Sequence, residues 1–207
     1  MRIIHWSVST LLALTFAATP VLASTTLWVD RDHVSASDIN PGTSASLPLS
    51  TIEKAVDIAN ANGGDYVIKI VEGDYTEAHE AGGGSMSPGY PITIVESDVT
   101  LEGVSTNPAD FPRLGGDVDD SSVAALVRIA PLGSQSDVTL RRLEFVGEDS
   151  TGKDAPSAVL IIAGSGDELT GLMISDNVFG RSEMNASGAS GRATVAVAAS
   201  GGGTIHG

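Results

Sequence analysis

Two neighbouring arginines, Arg141 and Arg142, and an acidic run, Asp117-Val118-Asp119-Asp120, are the residues of this chain best suited to chemistry. Paired guanidiniums can clamp a carboxylate through parallel N–H donors. Arg141 and Arg142 are therefore the candidate substrate-binding residues. Calcium takes roughly six to eight oxygen ligands and favours carboxylates on flexible loops. Asp117, Asp119 and Asp120 are accordingly the candidate metal ligands, with Ca2+ as the cation. Each set has a plainer reading. The arginines, at a corner, can pair with Glu144 or Asp137, and acidic loops are common in a chain this acidic.

Other chemistries find less support. Past the first 23 residues the lysines are Lys54, Lys69 and Lys153, and none sits in a context that would depress its pKa for use as a base. His33, His79 and His206 lack the spacing of a zinc site. No serine lies in a nucleophile elbow. Trp28, Tyr66, Tyr75 and Tyr90 are the main aromatics available for a sugar platform, yet all lie in strand or leader positions. Trp28 is expected to pack.

The N-terminus carries a three-part export signal. Arg2 is followed by an apolar stretch from Leu11 to Ala18 and a small-residue cleavage site at Val21-Leu22-Ala23. The stretch is too short to span a bilayer, and Pro20 ends it. Cleavage after Ala23 removes Arg2 and no acid, which lowers Lys+Arg from 11 to 10 against 26 acids, a net charge of −16. Such a chain is repelled by nucleic acid and by anionic lipid. With no cysteine, an exported fold must rest on its core. The expected setting is extracytoplasmic: secreted, periplasmic or cell surface. Oligomeric state is not legible.

Elements that could position these residues come next. Ser50-Thr51-Ile52-Glu53 fits a capping box with Ser50 as the cap, and Ile52, Ala55, Val56 and Ala59 make one apolar helix face that Asn62-Gly63-Gly64 ends. Beyond it the pattern is strand-like. Leu101-Glu102-Gly103-Val104, Leu140-Arg141-Arg142-Leu143 and Leu169-Thr170-Gly171-Leu172 share an apolar-corner-apolar motif, spaced 39 and 29 residues apart. Separate β-rich runs precede them at Ile92–Val95, Val123–Ile129 and Ala158–Ala163, and a fourth follows at Ala193–Ala199. Such periods signal a solenoid. Propeller blades would need hairpin turns that are missing. Asn177 falls where a turn asparagine would stack.

The predicted fold class is an all-β solenoid: a right-handed parallel β-helix with a short N-terminal capping helix. Its expected parts are a signal at 1–23, a leader strand, turn and helix at 24–65, and coils at 66–207. Ile205 lies 36 residues after Leu169, with His206-Gly207 at the next corner, so the coils are expected to be incomplete at the C-terminus.

Four segments carry a family resemblance: Leu27-Trp28-Val29-Asp30; Ser37-Asp38-Ile39-Asn40-Pro41-Gly42-Thr43; Pro48 to Ala55; and Val71-Glu72-Gly73-Asp74-Tyr75-Thr76-Glu77. Over about residues 27–104 the chain resembles a domain family of unknown function that leads into pectate-lyase-like right-handed parallel β-helix proteins. Gly84 to Ile92 and Val99 to Gly103 follow it too, and Glu72 stands where the family has proline. The resemblance implies architecture and an extracytoplasmic setting, with Asp38 and Asn40 in an Asx-type turn. Lyases of that architecture use a basic side chain to take the proton beside a uronate carboxylate and calcium to hold it. Polysaccharide is thus the implied partner. The alternative is a non-catalytic structural or adhesion module.

Overall fold

The computed structural model describes residues 23–76, 80, 90–117, 125–130, 133, 135–148, 157–163, 167–180, 195–199 and 204–205. The signal-like segment up to Leu22 lies outside them. No helix among the described residues is long and apolar enough to cross a membrane.

Period-two alternation gives the strands. β1 (Thr25–Val29) precedes α1 (Ile52–Asn62), and β2 (Tyr66–Ile70), β3 (Asp74–Tyr75) and β4 (Ile92–Ile94) follow it. The next round of chain supplies β5 (Val99–Gly103), β6 (Arg113–Asp117), β7 (Ala125–Ile129) and β8 (Gln135–Ser136). Then come β9 (Thr139–Arg141), β10 (Glu144–Glu148), β11 (Ser157–Ala163) and β12 (Glu168–Thr170). The last described round holds β13 (Met173–Ser175), β14 (Val178–Phe179), β15 (Val195–Ala199) and β16 (Thr204–Ile205).

These strands form four sheets, ordered β1-β2-β5-β9-β13, β3-β6-β10-β14, β4-β7-β11-β15 and β8-β12-β16. Every pairing between described strands is parallel. From β5 onward each round adds one strand to each sheet in turn. The four β-rich runs expected from sequence supply the strands of the third sheet.

Stacking rows of like residues make the core. Leu27, Ile68, Leu101 and Leu140 lie in register on the first sheet, none more than 1% exposed. Tyr75, Leu114, Phe145 and Phe179 form a row on the second, and the Phe145 and Phe179 rings stack 5.3 Å apart. Burying each aliphatic side chain contributes about 1.5–3 kcal/mol. Buried tyrosines also need partners. The Tyr75 hydroxyl donates to Val71 O at 3.0 Å, and that of Tyr90 donates to Tyr75 O while accepting from Gly115 N.

The repeat register differs from the sequence expectation at one point. Leu140 pairs with Ile174, not Leu169, and Leu169 pairs with Gln135 in the fourth sheet. The Leu101 and Leu140 motifs lie where the chain leaves β5 and β9, whereas the Leu169 motif lies where it enters β13. Asp98, Asp137 and Gly171 share the leading corner with φ of 58°, 56° and 64°. At Gly171 a Cβ would come within 2.3 Å of Asp137 Oδ1. Arg142 and Asp176 share the trailing corner with φ of 57° and 56°. Beside it Asn177 accepts from Leu143 N and donates to Leu140 O, both at 2.9 Å, the structural role expected of it. Ile205 does pair with Leu169.

α1 packs Ile52, Ala55, Val56 and Ala59 into the core against β1, β2 and β4. Its side chain Asn60 donates to Thr93 O at 2.8 Å and accepts from Val95 N at 3.1 Å, satisfying the outer edge of β4. The cap is Thr51, whose hydroxyl accepts from Lys54 N at 3.2 Å, rather than Ser50. Asp38 explains the shift. Its Oδ1 accepts from Ser50 N and Thr51 N at 2.9 and 3.0 Å, and its Oδ2 from the Thr51 hydroxyl. Asp38 and Asn40 are thus long-range ties: Asn40 donates to Ser35 O and Pro48 O. Glu80, 2% exposed, takes the Glu53 N–H at 2.9 Å, which a distant side chain supplies in place of a local box. Burial raises its pKa from 4.5 to about 8, against the helix N–H donors.

Candidate ligand-binding face

Alternation that sends Leu27, Ile68, Leu101 and Leu140 inward must send their neighbours outward. Trp28, Lys69, Glu102, Arg141 and Ser175 accordingly stand in one row across the outer face of the first sheet. Thr26, Val67, Thr100, Thr139 and Met173 make the row beside it. Five strands at ~4.8 Å spacing carry each row over about 19 Å.

One end of the first row is aromatic. Trp28, expected to pack, does so in part on the outer side of the sheet, since its position in β1 is an outward one. Its ring is half-buried, with Lys69 Nζ 5.5 Å from the ring centroid, within cation–π range. The other end is ionic. Arg141 Nε donates to Glu102 Oε2 at 2.9 Å, Arg141 Nη2 donates to the same oxygen, and Arg142 Nη2 donates to Oε1. Glu102 is 7% exposed, and its two oxygens take all three of these donors.

A cleft of about 670 Å³ opens where β1 and β2 end, lined in part by Asp30, Asp32, Glu72, Asp74, Phe111 and Arg113. Val29 leads directly into Asp30 and Ile70 into Val71, so the cleft adjoins the outer face of the first sheet. Arg113 Nη1 donates to Asp74 Oδ1 at 2.9 Å, and its Nε lies 3.4 Å from Glu144 Oε2. Asp74, Arg113 and Glu144 form the outer row of the second sheet. At the rim, Arg31 Nε lies 3.3 Å from Asp32 Oδ1, and His33 Nδ1 accepts from Ser35 N. On the opposite side of the first sheet, burial raises the pKa of Asp98, helped by the charges of Asp137 and Asp65.

Of the sequence candidates, the structure brings Arg141 and Arg142 together on one carboxylate. That carboxylate is Glu102, not Glu144 or Asp137. The 39-residue spacing from Leu101 to Leu140 already places Glu102 beside Arg141, so this partner was open to sequence reasoning. Asp117 ends β6, while Asp119 and Asp120 lie outside the described residues. Lys153, His79 and His206 lie outside them as well. Among the described residues no three His, Asp or Glu side chains are placed to hold a metal ion. The cleft was missed because Asp30, Asp32, Glu72 and Asp74 come from separate turns, and each alone reads as a solvated acid.

No family model, curated protein or solved structure matches the chain. Chemistry must therefore be read from the face itself. An aromatic ring can stack on the apolar face of a sugar, while carboxylates, threonine hydroxyls and guanidiniums offer hydrogen bonds to hydroxyl groups.

Proposed function

We propose that this is an exported, pectate-lyase-like right-handed parallel β-helix, closed at one end by α1, that binds polysaccharide along the outer face of its first sheet. The all-parallel pairing and the return of the chain to each sheet once per round support the coil. Parallel strand crossovers are right-handed in about 98% of cases, which supports the hand. The leader motifs at residues 27–104 support the kinship, and the Leu11–Ala23 segment supports export.

The observation that carries the binding reading is the outer row Trp28-Lys69-Glu102-Arg141-Ser175. It is half-exposed over most of its length, aromatic at one end and ionic further along. Its ~4.8 Å step is close to the length of one ring in an extended glycan. A polymer lying along it would meet one strand per sugar.

Affinity electrophoresis through gels holding hydroxyethyl cellulose, galactomannan, polygalacturonate or alginate tests this. At least one polymer should retard the protein, and Trp28→Ala should abolish the retardation without lowering the melting temperature by more than a few degrees. Free migration in every gel would leave a structural module instead.

A further inference from the structure

We infer that the outer row of the first sheet and the cleft beside it take an uncharged polysaccharide and turn polyuronates away. This rests on the glycan-binding reading above and names the class of glycan.

Recognition of a uronate chain needs guanidinium or ammonium groups with donors to spare. Around this face the described arginines each already face a carboxylate, although Arg142 Nε and Arg31 Nε have no hydrogen-bond partner. Glu102 takes Nε and Nη2 of Arg141 and Nη2 of Arg142. Asp74 and Glu144 hold Arg113 from two sides. Asp32 faces Arg31, and Lys69 lies over the Trp28 ring. Carboxylates, by contrast, are in surplus. The cleft gathers Asp30, Asp32, Glu72 and Asp74 against the single guanidinium of Arg113. A polyanion entering it would meet like charge in a chain that already carries a net −15.

The same groups suit a neutral polymer. An ionised carboxylate accepts from sugar hydroxyls without a charge partner, and Asp32, Glu72 and Asp74 are exposed enough to do so. The hydroxyls of Thr26, Thr100 and Thr139 extend the polar lining along the sheet. Trp28 supplies the stacking surface, and Phe111 an apolar wall in the cleft. Hydroxyl recognition by carboxylates and aromatics needs no cation.

The test compares galactomannan and hydroxyethyl cellulose with polygalacturonate and alginate at low salt, using the whole exported chain. A neutral polymer should be bound and the two uronates should not, a gap of about tenfold or more in affinity (roughly 1.4 kcal/mol). Glu102→Gln frees both arginines and should create binding to polygalacturonate. In case that variant fails to fold, Asp32→Asn with Glu72→Gln removes two exposed charges and should raise uronate binding about threefold at low salt, fading as salt screens it. Tighter binding of polygalacturonate than of either neutral polymer would overturn the inference and leave the glycan reading standing. No binding to any of the four would remove both.

Discussion

The two ends of the sheet stack handle the same problem in different ways. At the N-terminal end the edge strands β1 and β4 meet α1, and Leu27, Val29, Ile92 and Ile94 are at most 1% exposed. At the other end β13 and β14 are the outer ones of their sheets among the described strands, and there Phe179 is 38% exposed, with Leu172, Ile174 and Val178 half-buried. An edge strand offers both unpaired backbone and an apolar side. α1 covers the apolar side with four residues and satisfies backbone through Asn60. The contrast teaches that the helix is held by a polar clamp rather than by packing alone, because Asp38 and Glu80 reach its first turn from two distant segments.

Matched truncations at the two ends should therefore differ. Ile52→Ala empties a fully buried site and should cost about 2–4 kcal/mol in urea unfolding. Ile174→Ala, half-buried in β13, should cost less than half as much. Equal losses would break the comparison.

The clamp comes next in size. Asp38→Ala strips the acceptor from two backbone N–H groups and the Thr51 hydroxyl, and should cost about 1–3 kcal/mol. Thr51→Ala removes only the cap acceptor, with a cost of about 1 kcal/mol. Both should leave exchange rates in β13 unchanged.

Glu80 gives the clamp a pH dependence. Its folded pKa of about 8 lies above the ordinary 4.5, so the folded chain holds the proton more tightly than the unfolded one. The stability it contributes is fully present below pH 4.5 and is lost as pH rises through 8. Melting temperature should fall across that window, and Glu80→Gln should flatten the fall. An unchanged profile in the variant would assign the dependence to other groups.

The smallest effect belongs to the exposed end. Met173→Lys should change stability by no more than about 0.5 kcal/mol, since its side chain already meets water.

How much of this was legible in the sequence depends on the range of the interaction. Period-two runs and the face of Ile52, Ala55, Val56 and Ala59 are local, and the structure has both where they were expected. The Leu101–Leu140 register was legible because one motif marked the same corner twice. It failed at Leu169, where the motif marked the other corner. The cap moved from Ser50 to Thr51 because Asp38 acts across 13 residues, a distance no capping rule spans. The outer row needed the register before Glu102 could be seen beside Arg141. The cleft needed the turns after β1 and β2 to be stacked before its acids could meet.

A crystal structure of the chain grown with a galactomannan oligosaccharide tests the account most directly. It should show right-handed crossovers and sugar rings running from Trp28 towards Arg141 along the first sheet, with the Glu102–arginine pairs intact. Left-handed crossovers, or sugar bound only away from that face, would contradict it.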